Sequence, residues 1–297
     1  MKPPSQNFSA FMVACLGIAL FSVMDGVMKA LVLAIGAYNA MLWRQLAGFG
    51  LGGITLLLTR GSWPSKSVMR LHALRGVIGG LMAFAFFWGI ARVPLAEGIA
   101  LSFIAPLITL YLAAIMLKER ISRQSIVASL LGLAGVCVIA AARLGQGPGS
   151  EAAFWGMVAI FISAILYAYN LILQRQQALV AGPVEAAFFV NVFAFGTMLL
   201  AAPWLAVVPA LQNLPMILIA AALSFVSMML LSWAYRRAEA QVLVPVEYTA
   251  FIWAALVGWF AFAEPVTAST LIGAGLIVAG CLIAARQRPD HIEAAAL

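Results

Sequence analysis

Asp25 and Lys29 stand four residues apart in one long apolar stretch of the sequence, and Arg44, Arg75 and Glu247 stand in others. Wherever such a stretch crosses a bilayer, a charge inside it costs roughly 2.5 to 3.5 kcal/mol on insertion scales, so each needs a partner or a water-filled cavity. The spacing of Asp25 and Lys29 puts both on one helical face, where they can pair. Arg44 has Ala40, Ala47 and Gly48 three or four residues away, and small neighbours admit a second helix, so Arg44 is expected to face protein rather than lipid. Together Asp25, Lys29 and Arg44 carry one negative and two positive charges. Such a cluster suits a carboxylate or phosphate, while Asp25 can receive an ammonium. Glu247, two residues after Pro245, and Arg75 are expected to pair across the chain. A carboxylate in either cluster is a candidate proton carrier, so any solute movement past it would be proton-coupled.

Asn170 and Tyr248 complete the candidate binding or gating set, and Trp43, Trp88 and Tyr169 are candidates for an aromatic lining. Plainer roles compete with these. Indoles near span ends anchor at the membrane interface, Lys29 and Arg75 are close enough to helix ends to snorkel, and the ion pairs can be purely structural. Glu119 and Glu264 end apolar stretches and are followed three residues later by Ser122 and Thr267, good N-caps for a next helix. These four are read mainly as turn structure.

Other chemistry finds no support. His72 and His291 are the two histidines, and Cys15, Cys137 and Cys281 show neither disulfide nor zinc spacing, so no metal site is expected. The glycine-rich stretch from Leu144 to Gly149 lacks the Lys and Ser or Thr of a phosphate loop. No cofactor is expected.

The elements that must hold these residues follow from composition. Of 297 residues, 65% are hydrophobic and 9% charged, against about 25% charged in soluble domains. A span needs about 20 mainly apolar residues, and the chain supplies such runs almost end to end, so the lipid bilayer is its solvent. The net charge of +7 sits in short turns and reads as a topology signal rather than a nucleic-acid surface. Cutting at charges, Pro and Gly clusters predicts ten transmembrane helices: Ser9–Ala34, Ala37–Leu58, Leu71–Ile90, Leu95–Leu117, Ser125–Ala142, Ala152–Leu173, Ala186–Val208, Pro215–Tyr235, Val242–Phe262 and Ala268–Ala285. The first run is too long for a signal-peptide core and is expected to be retained.

With a cytoplasmic N-terminus, the inside segments hold Lys2, Arg60, Lys66, Arg70, Lys118, Arg120, Arg123, Arg175, Arg236, Arg237, Arg286 and Arg288, and the outside segments only Arg92 and Arg143. The positive-inside rule then places both termini in the cytoplasm of a cell with this chain in its inner or plasma membrane. An ungapped offset of 145 residues pairs Arg92 with Arg237, Glu119 with Glu264, Ser122 with Thr267 and Gly135 with Gly280, and maps Asp25 onto Asn170. Charges are scarce, so two charged matches in one register carry weight. Each half, 1–145 and 146–297, then holds five spans, an odd number, which inverts the second copy. The expected fold class is an all-α integral membrane protein of two inverted five-helix repeats, an architecture typical of secondary transporters with a midplane site.

Leu117-Lys118-Glu119-Arg120-Ile121-Ser122, its counterpart Phe262-Ala263-Glu264-Pro265-Val266-Thr267, Gly135, Gly280, Pro106 and Pro245 give the chain a resemblance to the drug/metabolite transporter superfamily, in particular its EamA-type members. It extends over nearly the whole chain. Met24-Asp25-Gly26-Val27-Met28-Lys29, Leu74-Arg75-Gly76 and Pro245-Val246-Glu247-Tyr248 look like the subgroup of S-adenosylmethionine uptake carriers, although Glu247 departs from that subgroup's pattern. The resemblance implies a carrier of a small metabolite, amino-acid-like or nucleoside- or S-adenosyl-type, working by alternating access. A channel, a packing subunit of a membrane complex and an intramembrane enzyme stay open as alternatives; the last needs a clustered acid, base or metal set that the sequence does not display.

Overall fold

Prolines and glycines set the helix boundaries. The structure is a computed structural model describing residues 4–59, 63–93, 95–102, 104–117, 121–144, 151–263 and 268–285. Helix α1 (Pro4–Ile35) turns into α2 (Ala37–Leu58) through Gly36 alone, whose φ of 79° few L-residues adopt. Ser65 caps α3 (Lys66–Ile90) by accepting from the Val68 amide at 3.5 Å. Then come α4 (Leu95–Ser102), α5 (Ile104–Met116) and α6 (Arg123–Leu144). Helix α7 (Glu151–Val180) is followed after two residues by α8 (Pro183–Leu199), with proline in its first turn, where a missing N–H costs nothing. A short α9 (Ala202–Leu205) leads to α10 (Leu214–Arg237). The next segment is broken: α11 (Ala240–Leu243), a tight 3-10 stretch over Val244–Tyr248 and α12 (Thr249–Phe262). Pro245 in that stretch cannot donate to a helical ladder. Helix α13 (Ala268–Ala285) closes the described chain.

Several expected boundaries move; α1 starts at Pro4 rather than Ser9 and α3 at Lys66 rather than Leu71. Helix α7 continues past Leu173 to Val180: Arg175, the charge that ends the expected span, donates to the Tyr235 carbonyl, and Gln174 and Gln177 also have buried partners. Helix α8 ends at Leu199, not Val208; the following stretch is pinned outside it, with the Val207 amide donating to Asn39 Oδ1 at 2.8 Å and its carbonyl accepting from Trp43 Nε1 at 2.8 Å. The ninth predicted span is interrupted by the 3-10 stretch Val244–Tyr248. Among the described residues, Phe8–Ile35, Ala37–Leu58, Lys66–Ile90, Glu151–Val180 and Leu211–Arg237 are long and apolar enough to cross a membrane, and Pro183–Leu199 and Val246–Phe262 are shorter apolar helices. No strand occurs among the described residues.

The surface is apolar where water would demand charge: Ile54, Ile162, Phe260 and Leu271 are exposed. The interior instead holds Arg44, Gln45, Arg75, Asn170, Gln174, Gln177 and Glu247 beside Met24, Met41 and Phe251. This is a helical protein turned to a lipid solvent, in which every backbone group must be satisfied within its own segment. Helix α1 packs on α10 as α3 does on α7, α2 on α10 as α3 on α8, and α1 on α12 as α5 on α7; α2 also meets α8, and α6 meets α13. Glycines permit the closest approaches: a Cβ at Gly76 would lie 2.5 Å from Phe193 Cβ, and one at Gly280 would lie 2.6 Å from the Ala128 carbonyl oxygen.

Candidate functional site

A cavity of about 170 Å³ lies among α1, α2, α3, α4, α7, α8, α10, the 3-10 stretch and α12. Asp25, Arg44, Arg75, Asn170 and Glu247 from the expected set all line it. Helix α7 contributes a polar stripe, since Ser163, Tyr167, Asn170 and Gln174 recur every three or four residues and so share a face. The 3-10 stretch brings in Glu247 where the helix is interrupted.

The two arginines are held mainly by neutral groups. Arg44 Nη1 donates to Ser224 Oγ at 2.8 Å and Nη2 to Met41 Sδ at 3.7 Å, its guanidinium lies 6.0 Å from the Phe87 ring centre, and its buried Nε has no partner. Arg75 donates from Nε to Asn170 Oδ1 at 3.4 Å, from Nη2 to Gln174 Oε1 at 2.6 Å and from Nη1 to Gln177 Oε1. The Gln174 side-chain nitrogen also lacks a partner. Glu247 accepts a hydrogen bond from the Tyr167 hydroxyl. Asp25 and Arg44 are close enough to act on each other electrostatically. Arg75 and Glu247 therefore line one cavity but hold different partners, in place of the pair the sequence suggested.

The remaining expected residues lie off this cavity. Lys29 reaches away from it, with Nζ 3.3 Å from the Val93 carbonyl oxygen and 5.2 Å from the Phe262 ring centre. The Asp25–Arg44 group then carries one charge of each sign rather than a surplus of one positive. Tyr248 is buried against Gly132 of α6, where an added Cβ would lie 2.5 Å from its ring. Trp43 bonds Val207, and Tyr169 sits on another face of α7. Trp88 lines a second cavity, of about 650 Å³, with Arg92 stacked 3.4 Å from its ring centre. Ser122 Oγ accepts from the Ser125 amide at 3.1 Å in the first turn of α6; Glu119, Glu264 and Thr267 lie outside the described residues.

Sequence reasoning passed over Gln45, Ser224, Gln174, Gln177, His72 and Glu185. Gln174 and Gln177 were legible as a continuation of the Asn170 face, at three- and four-residue steps. His72 was set aside for want of metal partners, and no metal-binding group occurs among the described residues. Its ring instead joins two helices: Nε2 lies 2.9 Å from Glu185 Oε1, Nδ1 lies 2.5 Å from Gln177 Nε2, and the Phe189 ring stacks on it at 4.9 Å.

An apolar helical shell around a chamber lined by charges of both signs defines a membrane protein of the transporter class. The chain belongs to the EamA-like transporter family, whose description matches residues 8–141 and 154–286. It is 26% identical over 287 residues to the pseudopaline exporter CntI of Pseudomonas aeruginosa, covering 94% of this chain and 97% of that one. It is 24% identical over 212 residues to the S-adenosylmethionine uptake transporter of Rickettsia bellii, covering 71% of each. A crystal structure 21% identical shares the fold at a TM-score of 0.71, covering 93% of this chain and 98% of its own. These likenesses make the chain a transporter and not an enzyme.

Proposed function

We propose that this transporter is a secondary carrier of a small organic solute bearing both an anionic and a cationic group, amino-acid-like or S-adenosyl-type. The observation that carries the reading is the cavity itself: Arg44, Arg75, Asp25 and Glu247 face one chamber, and among the described residues none forms an ion pair with another within 4.0 Å. Buried charges of opposite sign left apart are costly, and a solute carrying both signs supplies what each lacks. The unpartnered Arg44 Nε and Gln174 Nε2 add two donors for anionic oxygens. An S-adenosylmethionine uptake transporter among the relatives supports the same solute class.

The carrier has ten membrane-crossing segments in two inverted repeats, 1–145 and 146–297, with both termini cytoplasmic. The paired helix contacts support this, since exchanging α1 with α7, α2 with α8, α3 with α10, α5 with α12 and α6 with α13 returns the same set. The interrupted ninth segment supports the carrier reading too: the 3-10 stretch Val244–Tyr248 brings Glu247 to the cavity, and broken helices at the midplane are where such carriers bind solute. In alternating access, the Asp25–Arg44 group serves the outer side and the Arg75–Glu247 region the inner side.

The test is a thermal-shift screen of the purified full chain against amino acids, nucleosides, S-adenosyl compounds and simple cations, followed by counter-flow in proteoliposomes with each compound that binds. A ligand at a hundred times its dissociation constant stabilises the folded state by about 2.7 kcal/mol. Zwitterions are expected to shift the melting temperature and to exchange saturably. Binding confined to solutes without an acidic group overturns the electrostatic argument, and non-saturable flux replaces the carrier with a channel.

A further inference from the structure

Arginine donates through all its N–H groups and accepts nothing, so the end of the Gln177 amide that meets Arg75 is its oxygen. The NH₂ end of the same amide therefore faces His72 Nδ1, 2.5 Å away, and a donor there requires Nδ1 to be bare. The proton of the neutral ring then sits on Nε2 and is donated to Glu185 Oε1 at 2.9 Å. One amide thus reads two groups at once.

We infer that His72 is a proton-binding site linked to the solute cavity through Gln177: a proton settles on Nδ1 when the Gln177 amide turns over, and turning over withdraws its oxygen from Arg75. The step moves one proton from water to Nδ1 and changes no other covalent bond. Arg75 keeps Asn170 and Gln174 and presents a freed Nη1. The imidazolium keeps Glu185 through Nε2 and gains the Gln177 oxygen at Nδ1. Glu185, 17% exposed where His72 is fully buried, connects the site to water. Among the described residues the charged groups acting on His72 are Glu185 from α8 and Arg75 one turn along α3; α7 presents the neutral Gln177, and Phe189 covers a ring face.

The consequence for transport rests on the carrier reading above. An anionic group of the solute that replaces Gln177 on Arg75 frees the amide to accept the His72 proton, so the anion and the proton enter together.

The chain has two histidines, His72 and His291, so His291→Ala in the full-length protein leaves one imidazole to observe. Solid-state nitrogen NMR of this variant, with labelled histidine in lipid bilayers at neutral pH, is expected to find Nε2 protonated and Nδ1 bare; a proton on Nδ1 overturns the assignment. This measurement touches neither α7 nor Arg75, so it decides the geometry whether or not cavity variants fold. The coupling is read from the proton affinity of His72 with Arg75→Gln introduced beside Gln177 and, separately, beside Gln177→Leu. Loss of Arg75 is expected to tighten proton binding about tenfold more beside Gln177, one pH unit. Equal changes in the two backgrounds mean that Arg75 acts through space alone, and the relay is then wrong. No solute enters either measurement, so a failed counter-flow assay would remove the carrier and leave the proton site standing.

Discussion

Gly76→Ala tests whether the close approach of α3 to α8 positions the cavity. The added Cβ would lie 2.5 Å from Phe193 Cβ, 3.1 Å from the Val190 carbonyl oxygen and 3.4 Å from the Ala194 amide nitrogen. Two of these are backbone atoms and the third is the root of a side chain, so no rotamer change relieves them. Opening the shortest contact to an ordinary 3.4 Å requires 3.4 − 2.5, or 0.9 Å of separation. Overpacking of this kind costs about 1–3 kcal/mol. Arg75 is the adjacent residue, and a movement of 0.9 Å along its 2.6 Å bond to Gln174 would carry that bond to 3.5 Å, the edge of hydrogen bonding. The controls are Gly50→Ala on α2 and Gly196→Ala on α8, where a Cβ meets nothing within 4 Å and alanine's helix propensity contributes up to about 1 kcal/mol of stability. In thermal unfolding in detergent, Gly76→Ala is expected to melt below the parent and both controls at or above it, with solute binding weakened only in Gly76→Ala. If Gly76→Ala melts and binds like Gly196→Ala, helix approach at Gly76 does not govern the site.

Three further outcomes are expected. Glu247→Gln retains an acceptor for Tyr167 and so should leave external solute binding measurable while slowing exchange at the cytoplasmic side; wild-type binding and exchange together would remove Glu247 from the transport cycle. Asp25→Asn, which leaves Arg44 without its opposite charge, should weaken binding of zwitterions more than of anions, and a uniform loss for both would point to misfolding instead. In a background without native cysteines, Val208→Cys and Leu211→Cys, both about 80% exposed, should react with an impermeant thiol reagent applied to intact cells, whereas Ser65→Cys and Arg123→Cys should not; the opposite pattern reverses the proposed orientation.

Asp25, Arg44, Arg75 and Glu247 were readable as a cavity set because a charge in an apolar run has few stable places to go. Their partners were not. Arg75 takes its three amide oxygens from residues 95 to 102 positions along the chain, and Arg44 bonds a serine 180 positions away. Lys29 shows the limit of periodicity: it shares a helical face with Asp25, yet its long side chain reaches the Val93 carbonyl and the Phe262 ring instead of the cavity. Arg175 misleads in the other direction, since a charge reads as a span end, yet α7 runs on to Val180 with Gln174 held by Arg75 and Gln177 by Arg75 and His72.

The sequence by itself determined the solvent, the helices and the family resemblance. In lipid each segment must satisfy its own backbone hydrogen bonds, so apolar run length and the positions of proline and glycine fix most helices locally. Only the tertiary structure decided which polar face each helix turns inward. The rotation of a helix about its own axis is set by close packing, such as Gly76 against Phe193, and by hydrogen bonds such as His72 to Glu185, formed between residues 113 positions apart.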